Sequence, residues 1–544
     1  MREIDRLTTE RYGIPSLVLM ENAAAATARV IAASLGELQD KSILALCGRG
    51  NNGGDGAATA RLLAAAGGRV RAVLFGKREE TRGDARTNFD ALAGMAREGS
   101  QSIGSVEFTE TGIDEDPSDL LDKAFGEEYD VVVDALFGTG LTRPLDGVYK
   151  NVVERLNRLP GGSGGYSIVS IDIPSGLNSD CPELIGPAVQ ANVTVTMTAP
   201  KKANVLFPAA GCNGRLIVAE IGSPLELVRE AKTDLLLAQE ADARQWLIDT
   251  RYQPGSYKNI HGHALIVAGS RGFTGAAALC ANAAMRAGAG LVTVATPASA
   301  QPLVATQVMS EVMTTSLAET DRGTVSDGAF DYFSKFSERA DVIGIGPGLS
   351  AEDERTRMFV RDVVEQRRTP VVIDADGLNC LSPWPDDLQG SRETPIILTP
   401  HPGEMQRLLG VENKPDLNDQ VGAAREFAAK HQVILVLKTG RSLIAAPDGR
   451  VFLNSTGNAG VGTAGAGDTL TGVITSFLAQ VYGSSPPVTD ALSTVIAALY
   501  VSGLAGDLAA RELGMRCTVA SDIREHLSAA IRALDPRGEQ PHIF

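Results

Sequence analysis

Glycine constrains this chain most: its 58 glycines gather in short loops directly behind apolar, β-branched runs. That punctuation marks strand-to-helix turns, where the backbone needs positive φ or close approach. Two series of it occur. In the first, Ser42-Ile43-Leu44-Ala45-Leu46, Arg69-Val70-Arg71-Ala72-Val73-Leu74, Val131-Val132-Val133 and Ser167-Ile168-Val169-Ser170-Ile171 read as buried strands between Ala- and Arg-rich helices, and the runs 193–197 and 216–220 extend the sheet. Residues 224–253 turn helical and charged without glycine loops, as an interdomain connection would.

The second series begins at His263-Ala264-Leu265-Ile266-Val267-Ala268. It continues through Leu291-Val292-Thr293-Val294, Val342-Ile343-Gly344-Ile345, Pro370-Val371-Val372-Ile373, Ile396-Ile397-Leu398 and Val433-Ile434-Leu435-Val436-Leu437. Asp448-Gly449 between apolar runs at 442–446 and 451–453 predicts a hairpin, so this sheet ends in antiparallel strands. The expected fold is α/β with two three-layer domains: 1–222, a linker at 223–253, and 254–544.

Composition narrows the function. With 50 Lys+Arg against 66 Asp+Glu the net charge is −16, and no extended basic run offers a nucleic-acid backbone its counter-charge. Apolar residues at 44% and charged ones at 21% exclude a mainly disordered chain. No stretch reads as ~18–20 uncharged apolar residues, and Met1-Arg2-Glu3-Ile4-Asp5 opens an amphipathic helix without a signal segment behind it. The expectation is a soluble, cytoplasmic protein with no membrane and no nucleic-acid partner. Six cysteines without a CxxC pair predict free thiols in a reducing compartment.

Chemistry concentrates at two places. In the first series, Cys47-Gly48-Arg49-Gly50-Asn51-Asn52-Gly53-Gly54-Asp55-Gly56 follows a strand and is expected to open a helix over 57–66. Its N–H groups suit an anion, and its three oxygen-bearing side chains suit a hard cation or ribose hydroxyls. A tight turn with one Asx cap is the plainer alternative. Asp134 in Val133-Asp134-Ala135-Leu136-Phe137-Gly138-Thr139-Gly140-Leu141 and Asp172 in Ile171-Asp172-Ile173-Pro174-Ser175-Gly176 close two further strands. Parallel strands end at one edge, so these groups converge on the glycine loop.

In the second series, Asn454-Ser455-Thr456-Gly457-Asn458-Ala459-Gly460-Val461-Gly462-Thr463-Ala464-Gly465-Ala466-Gly467-Asp468 leads into a helix. Unblocked N–H donors at a helix start favour a transferring phosphoryl group, and the carboxylate can take the proton of an attacking hydroxyl. Further loops follow other strands: Gly269-Ser270-Arg271-Gly272-Phe273, Gly346-Pro347-Gly348, Asp374-Ala375-Asp376-Gly377-Leu378, Thr399-Pro400-His401-Pro402-Gly403-Glu404 and Lys438-Thr439-Gly440. Read alone, His401 is a turn histidine and Lys438 a solvated strand-end charge; five loops at one edge make them site candidates.

GxGNNGGDG, VDALFGTGL and IDIPSGLN together resemble the epimerase half of the NAD(P)H-hydrate repair proteins over residues 3–222, and the second set is similar to their nucleotide-dependent (6S)-NAD(P)H-hydrate dehydratase half over 257–534. Ala24 for Gly, Ala459 for Pro, Gly462 for Ala, and Gly-Ala-Gly-Asp for Gly-Thr-Gly-Asp depart from the family pattern. The resemblance implies a Rossmann-like epimerase domain and a ribokinase-like domain. In the first, Asn51, Asn52, Gly53, Gly54, Asp55 and Gly138, Thr139, Gly140, Leu141, Thr142, Arg143, Pro144 would hold the hydrated dinucleotide. Asn52, Asp134 and Ser175 would bind potassium, and Asp172 would be the acid/base. In the second, Gly348 with His401, Pro402, Gly403, Glu404, Met405, Gln406 and Arg407 would contact the hydrate. Lys438, Thr439, Gly440, Arg441, Ser442 and the run Asn458 to Gly467 (Asn458, Ala459, Gly460, Val461, Gly462, Thr463, Ala464, Gly465, Ala466, Gly467) would cradle the nucleotide, with magnesium present and Asp468 as base. ADP as co-substrate, NADH or NADPH hydrate as substrate and a homo-oligomeric state are implied by the resemblance alone. The competing expectation is an ATP-dependent kinase of a small hydroxymethyl compound, with a non-catalytic dinucleotide-binding amino-terminal domain.

Overall fold

The computed structural model describes residues 1–97, 104–111, 122, 125–158, 166–231, 233, 235–253, 255–410 and 419–535. The chain divides into two compact units, Met1–Lys232 and Thr233–Phe544.

The first unit is built on a seven-stranded sheet: β1 (Ser42–Cys47), β2 (Arg69–Phe75), β3 (Ser105–Thr111), β4 (Val131–Ala135), β5 (Ser167–Ile171), β6 (Val193–Met197) and β7 (Arg215–Ala219). Their spatial order is β3-β2-β1-β4-β5-β6-β7 and all neighbours are parallel. Alternate residues of β1 feed two cores, Ile43, Ala45 and Cys47 on one face and Leu44 and Leu46 on the other. Both faces are covered, which is why the strands read as continuous apolar runs. The order reverses direction beside β1, and ligands of such sheets bind outside the carboxyl ends at that point.

The second unit contains β8 (Leu236–Leu237), β9 (His263–Val267), β10 (Leu291–Pro297), β11 (Met313–Leu317), β12 (Val342–Ile345), β13 (Val371–Ile373), β14 (Ile396–Leu398), β15 (Ile434–Leu437), β16 (Leu443–Ala445) and β17 (Val451–Leu453). They form one sheet in the order β11-β10-β9-β12-β13-β14-β15-β16-β17-β8. The strands from β11 to β15 are parallel; β15, β16 and β17 pair antiparallel through the expected Asp448-Gly449 hairpin. The helix Ala466–Tyr482 is buried along most of its length, with Phe477, Leu478 and Ile474 in the main core.

Four expectations change. The helix after β1 begins at Asn51, not near residue 57, so the Asn-Asn-Gly-Gly-Asp run forms its first turns. Glycine is a poor helix former, about 1 kcal/mol worse than Ala, but a Cβ at Gly53 would stand 1.8 Å from the Gly48 carbonyl oxygen. Tertiary approach thus overrides propensity. Strands β3 and β11 were not anticipated; both lie at sheet edges, and half-exposed patterns leave no apolar run to read.

The stretch 223–253 is more than a connection. Two of its residues add β8 beside β17, and the helix Glu240–Asp249 stacks Trp246 on Phe477 at 3.9 Å between ring centres. Finally, against the expectation of no such stretch, the helices Ser16–Leu35 and Ala491–Leu513 are long and apolar enough to cross a membrane by length and composition. The second of them is largely buried in its own unit.

Candidate active sites

In the first unit the edge above β1, β4 and β5 gathers the expected groups. A cavity of about 730 Å³ there is lined by Asn51, Asn52, Asp55, Gly138, Thr139, Gly140, Leu141, Arg143, Pro144, Asp172 and Lys201. The dimensions suit a dinucleotide-sized ligand. A Cβ at Gly138 would meet Asn52 Oδ1 at 3.2 Å and Asp172 Oδ2 at 3.3 Å, so the three loops converge at one point. Gly53 and Gly54 are buried behind this wall, and Thr142 is not part of the lining.

Asp172 directly follows β5 at φ 69°, a conformation unusual for a residue with a side chain, so its carboxylate is held by strained backbone. Its Oδ1 takes a hydrogen bond and ion pair from Lys201 Nζ. The lysine is itself buried and also donates to Thr196 Oγ1 (2.9 Å) and the Met197 carbonyl (3.1 Å). Burial, then the negative charges of Asp172 and Asp5, push the Asp55 carboxyl well above its ordinary range. Asp5, on the opening helix Arg2–Tyr12, is also raised, chiefly by burial, and its Oδ1 is buried without a hydrogen-bond partner among the described residues. Lys201 and Asp5 were missed as site residues; the amphipathic opening helix and the Pro-Lys-Lys turn were the available signals.

Asp134 and Ser175 lie beneath the cavity instead of lining it. Asp134 is fully buried, accepting from Ser175 Oγ (2.6 Å), Ser170 Oγ (2.8 Å) and the Ser175 N–H (2.9 Å). Burial raises its carboxyl and these bonds only partly oppose it. Asp134 has no ion-pair partner among the described residues. Ser175 Oγ also reaches the Phe137 carbonyl (3.2 Å), while Asn52 Nδ2 is buried without a partner among the described residues. A buried carboxylate lacking a counter-charge among neutral oxygens is donor chemistry that fits a singly charged cation.

In the second unit, parallel strands bring Gly348, Asp374, His401, Lys438 and the glycine run before Asp468 to one edge. Gly465 takes φ 81° as the helix N-cap, and Asp468 sits in the first turn. Asp468 has no hydrogen bond and no ion pair among the described residues. Its carboxyl is pushed up to about 7, first by burial and then by the charge of Asp374, with Lys438 opposing. Asp374, fully buried behind β13, accepts from Lys438 Nζ (2.6 Å) and Thr471 Oγ1 (2.8 Å). Burial would raise it, yet the lysine and these bonds hold it below the ordinary carboxylate value.

His401 caps the helix Pro402–Leu408: its Nδ1 accepts from the N–H groups of Gly403 (3.0 Å) and Glu404 (3.3 Å), and its own N–H donates to Glu404 Oε2 (2.8 Å). Arg407 Nε donates to Asn379 Oδ1 at 2.8 Å. Met405, expected against the hydrate, is fully buried in the helix's inner face and cannot line a site. Ser270 Oγ donates to the Gly348 carbonyl (2.7 Å), joining two loops. The run from Asn458 is anchored by Asp507, which accepts from Asn458 Nδ2 (2.8 Å) and the Gly457 N–H (3.0 Å). Asp374, Thr471 and Asp507 were not among the anticipated site residues. Asp374 had a signal in its place in a quoted strand-end loop, and Thr471 in the glycine run that continues through Asp468 to Gly472.

Fold and sites together define a two-domain α/β enzyme, one half a doubly wound sheet with a dinucleotide-sized cavity and the other a ribokinase-like phosphoryl-transfer edge. Residues 16–203 match the family described as YjeF-related protein N-terminus, and residues 264–528 match NAD(P)H-hydrate dehydratase. The bifunctional NAD(P)H-hydrate repair enzyme of Moorella thermoacetica is 39% identical over 99% of this chain and 97% of that protein. Its counterpart from Thermofilum pendens is 37% identical over 98% and 95%. An ADP/ATP-dependent NAD(P)H-hydrate dehydratase from Bacillus subtilis, crystallised with ATP and Mg2+, is 29% identical with a TM-score of 0.48, covering 56% of this chain and 100% of that one. The chain belongs to the bifunctional NAD(P)H-hydrate repair enzyme family.

Proposed function

We propose that the two units repair hydrated nicotinamide cofactors in sequence: the first interconverts the R and S epimers of NAD(P)H hydrate, and the second dehydrates the S form with ADP as phosphoryl donor. Near-complete coverage by bifunctional relatives supports this over the kinase alternative.

In the first unit Asp172 exchanges a proton at the C6 hydroxyl while the ring-nitrogen lone pair assists bond breaking. Lys201 holds the carboxylate in place through its hydrogen bond and ion pair. Asn51, Asn52 and the Gly138–Pro144 loop hold the dinucleotide. Asn52, Asp134 and Ser175 would hold potassium, which would supply a fixed positive charge to the site.

In the second unit Asp468 takes the proton of the C6 hydroxyl as the terminal phosphoryl of ADP moves onto it in line, and the N–H groups at 465–467 receive the developing charge. The ring nitrogen then expels phosphate, a far better leaving group than hydroxide, leaving NAD(P)H, AMP and phosphate. Magnesium bound with the nucleotide would supply neutralisation of its phosphates. Gly348 and the His401 helix face the hydrate, and the 438–442 loop with the 458–467 run faces the nucleotide. A carboxylate at a glycine-lined helix start, without hydrogen bond or ion pair among the described residues, is the observation that carries this reading.

The test is a mixed-epimer NADH hydrate preparation incubated with ADP and magnesium. Full recovery of the reduced-nicotinamide absorbance, with one phosphate released per NADH, is expected. Recovery that stops at the S fraction overturns the epimerase assignment, and a stable phosphorylated product with no NADH overturns the dehydratase assignment. A homo-oligomer in the cytoplasm completes the proposal; free thiols at all six cysteines suit a reducing compartment.

A further inference from the structure

Lys438 stands between competing carboxylates. Its Nζ is 2.6 Å from Asp374 Oδ1 and 3.9 Å from Glu404 Oε2, and a Cβ at Gly467 would lie 3.4 Å from the same nitrogen and 3.6 Å from Asp374 Oδ2. The pair therefore lies directly under the glycine turn that presents Asp468. Thr471, one helical turn after Asp468, ties Asp374 to the same helix at 2.8 Å. Asp374 thus takes the ammonium for itself, and Asp468 is left without a cation.

We propose that Asp374 is a positioning residue for the dehydratase reaction: by capturing Lys438 and bonding Thr471 it withholds the lysine from Asp468 and keeps that carboxylate unpaired as a working base. This rests on the assignment of Asp468 as the base. The physical reason is competition. A carboxylate salt-bridged to Lys438 would be a weak proton acceptor, because an opposite charge in contact stabilises its ionised form. Lys438 prefers Asp374, which is fully buried and carries a second donor in Thr471. The charged or titratable groups facing Asp468 are Asp374 at the end of β13, Asp376 beside it, Glu404 on the His401 helix, Lys438 at the end of β15, and Cys280 on the helix Thr274–Arg286. Burial holds Cys280 neutral, so Lys438 is the cation whose partner decides the outcome.

The test is the pH profile of kcat for NADH formation from S hydrate and ADP, in the full-length protein. The wild type should lose activity on its acid side as a group near 7 protonates. In Asp374→Asn the freed lysine turns to Asp468, so the acid limb should move down by one pH unit or more and the plateau kcat fall at least tenfold, with the KM for ADP changed by less than threefold. Lys438→Met should move the limb the other way, toward higher pH, since Asp374 then faces Asp468 uncompensated. Thr471→Val keeps both charges and removes one donor from Asp374, so it should move the limb in the direction of Asp374→Asn but by a smaller amount, which separates charge competition from simple damage to the helix. Limbs unmoved in both charge variants, or moved in the same direction, overturn the proposal. A wild type making no NADH at all would instead overturn the dehydratase assignment.

Discussion

Lys201 Nζ donates to Asp172 Oδ1 from a lysine only 8% exposed, at a strand end where the aspartate itself holds φ 69°. Strain and ion pair together aim one carboxylate into the cavity. Lys201→Met removes the charge while keeping the stem, and epimerisation should fall about 10²–10³-fold, in the range for losing a positioned acid–base group. ADP-dependent dehydration of pure S hydrate should be unchanged. Epimer ratios over time, read by chromatography, check both; an epimerisation rate within twofold of wild type would remove Lys201 from the mechanism.

Asp468 is raised to about 7 in the folded protein, so its ionised form is disfavoured relative to the unfolded chain. The sign follows: above pH 7 the folded state carries an unfavourable charge that it sheds as pH falls toward the ordinary carboxylate value. Asp468→Asn should abolish NADH formation and yet raise the melting temperature at pH 8, with the gain vanishing near pH 4. Thermal melts at the two pH values decide this.

Gly53 packs its α-carbon against the loop before it, and a Cβ there would stand 1.8 Å from the Gly48 carbonyl oxygen. Gly53→Ala should shift the first turn of the helix Asn51–Ala65, displace Asn52 from the cavity wall, and weaken hydrate binding to the first unit tenfold or more. Calorimetric titration with R hydrate measures this.

Asp134 is a buried carboxylate with hydrogen bonds but no counter-charge among the described residues. Replacing potassium by tetramethylammonium should slow epimerisation several-fold and leave the second unit's phosphate release intact. Equal epimerisation rates in the two salts would count against a cation at this site.

Trp246 is 3% exposed and lies flat on Phe477. Trp246→Ala should destabilise the second unit by about 3–5 kcal/mol, the usual range for emptying a large aromatic site. Its melting transition should drop while that of the first unit stays in place, which scanning calorimetry can follow.

The amino-acid sequence by itself determined both parallel sheets at their centres, because strands covered on two faces must be almost wholly apolar, as 43–47, 131–133 and 434–437 are. It also determined which loops share an edge, since parallel strands all end on one side, and so Asp172 and Asp468 could be gathered with their glycine loops, while the role of Asp172 as acid/base rested on the family resemblance. Tertiary structure alone decided what pairs with them. Edge strands β3 and β11, and two-residue β8, exist because a neighbour supplies hydrogen bonds that their own side chains do not announce. The helix start at Asn51 needed the close approach of Gly53 to Gly48. Partners such as Lys201 for Asp172 and Asp374 for Lys438 stand 29 and 64 residues apart, and a charge chooses among carboxylates by distance and burial, quantities that only the packed chain possesses.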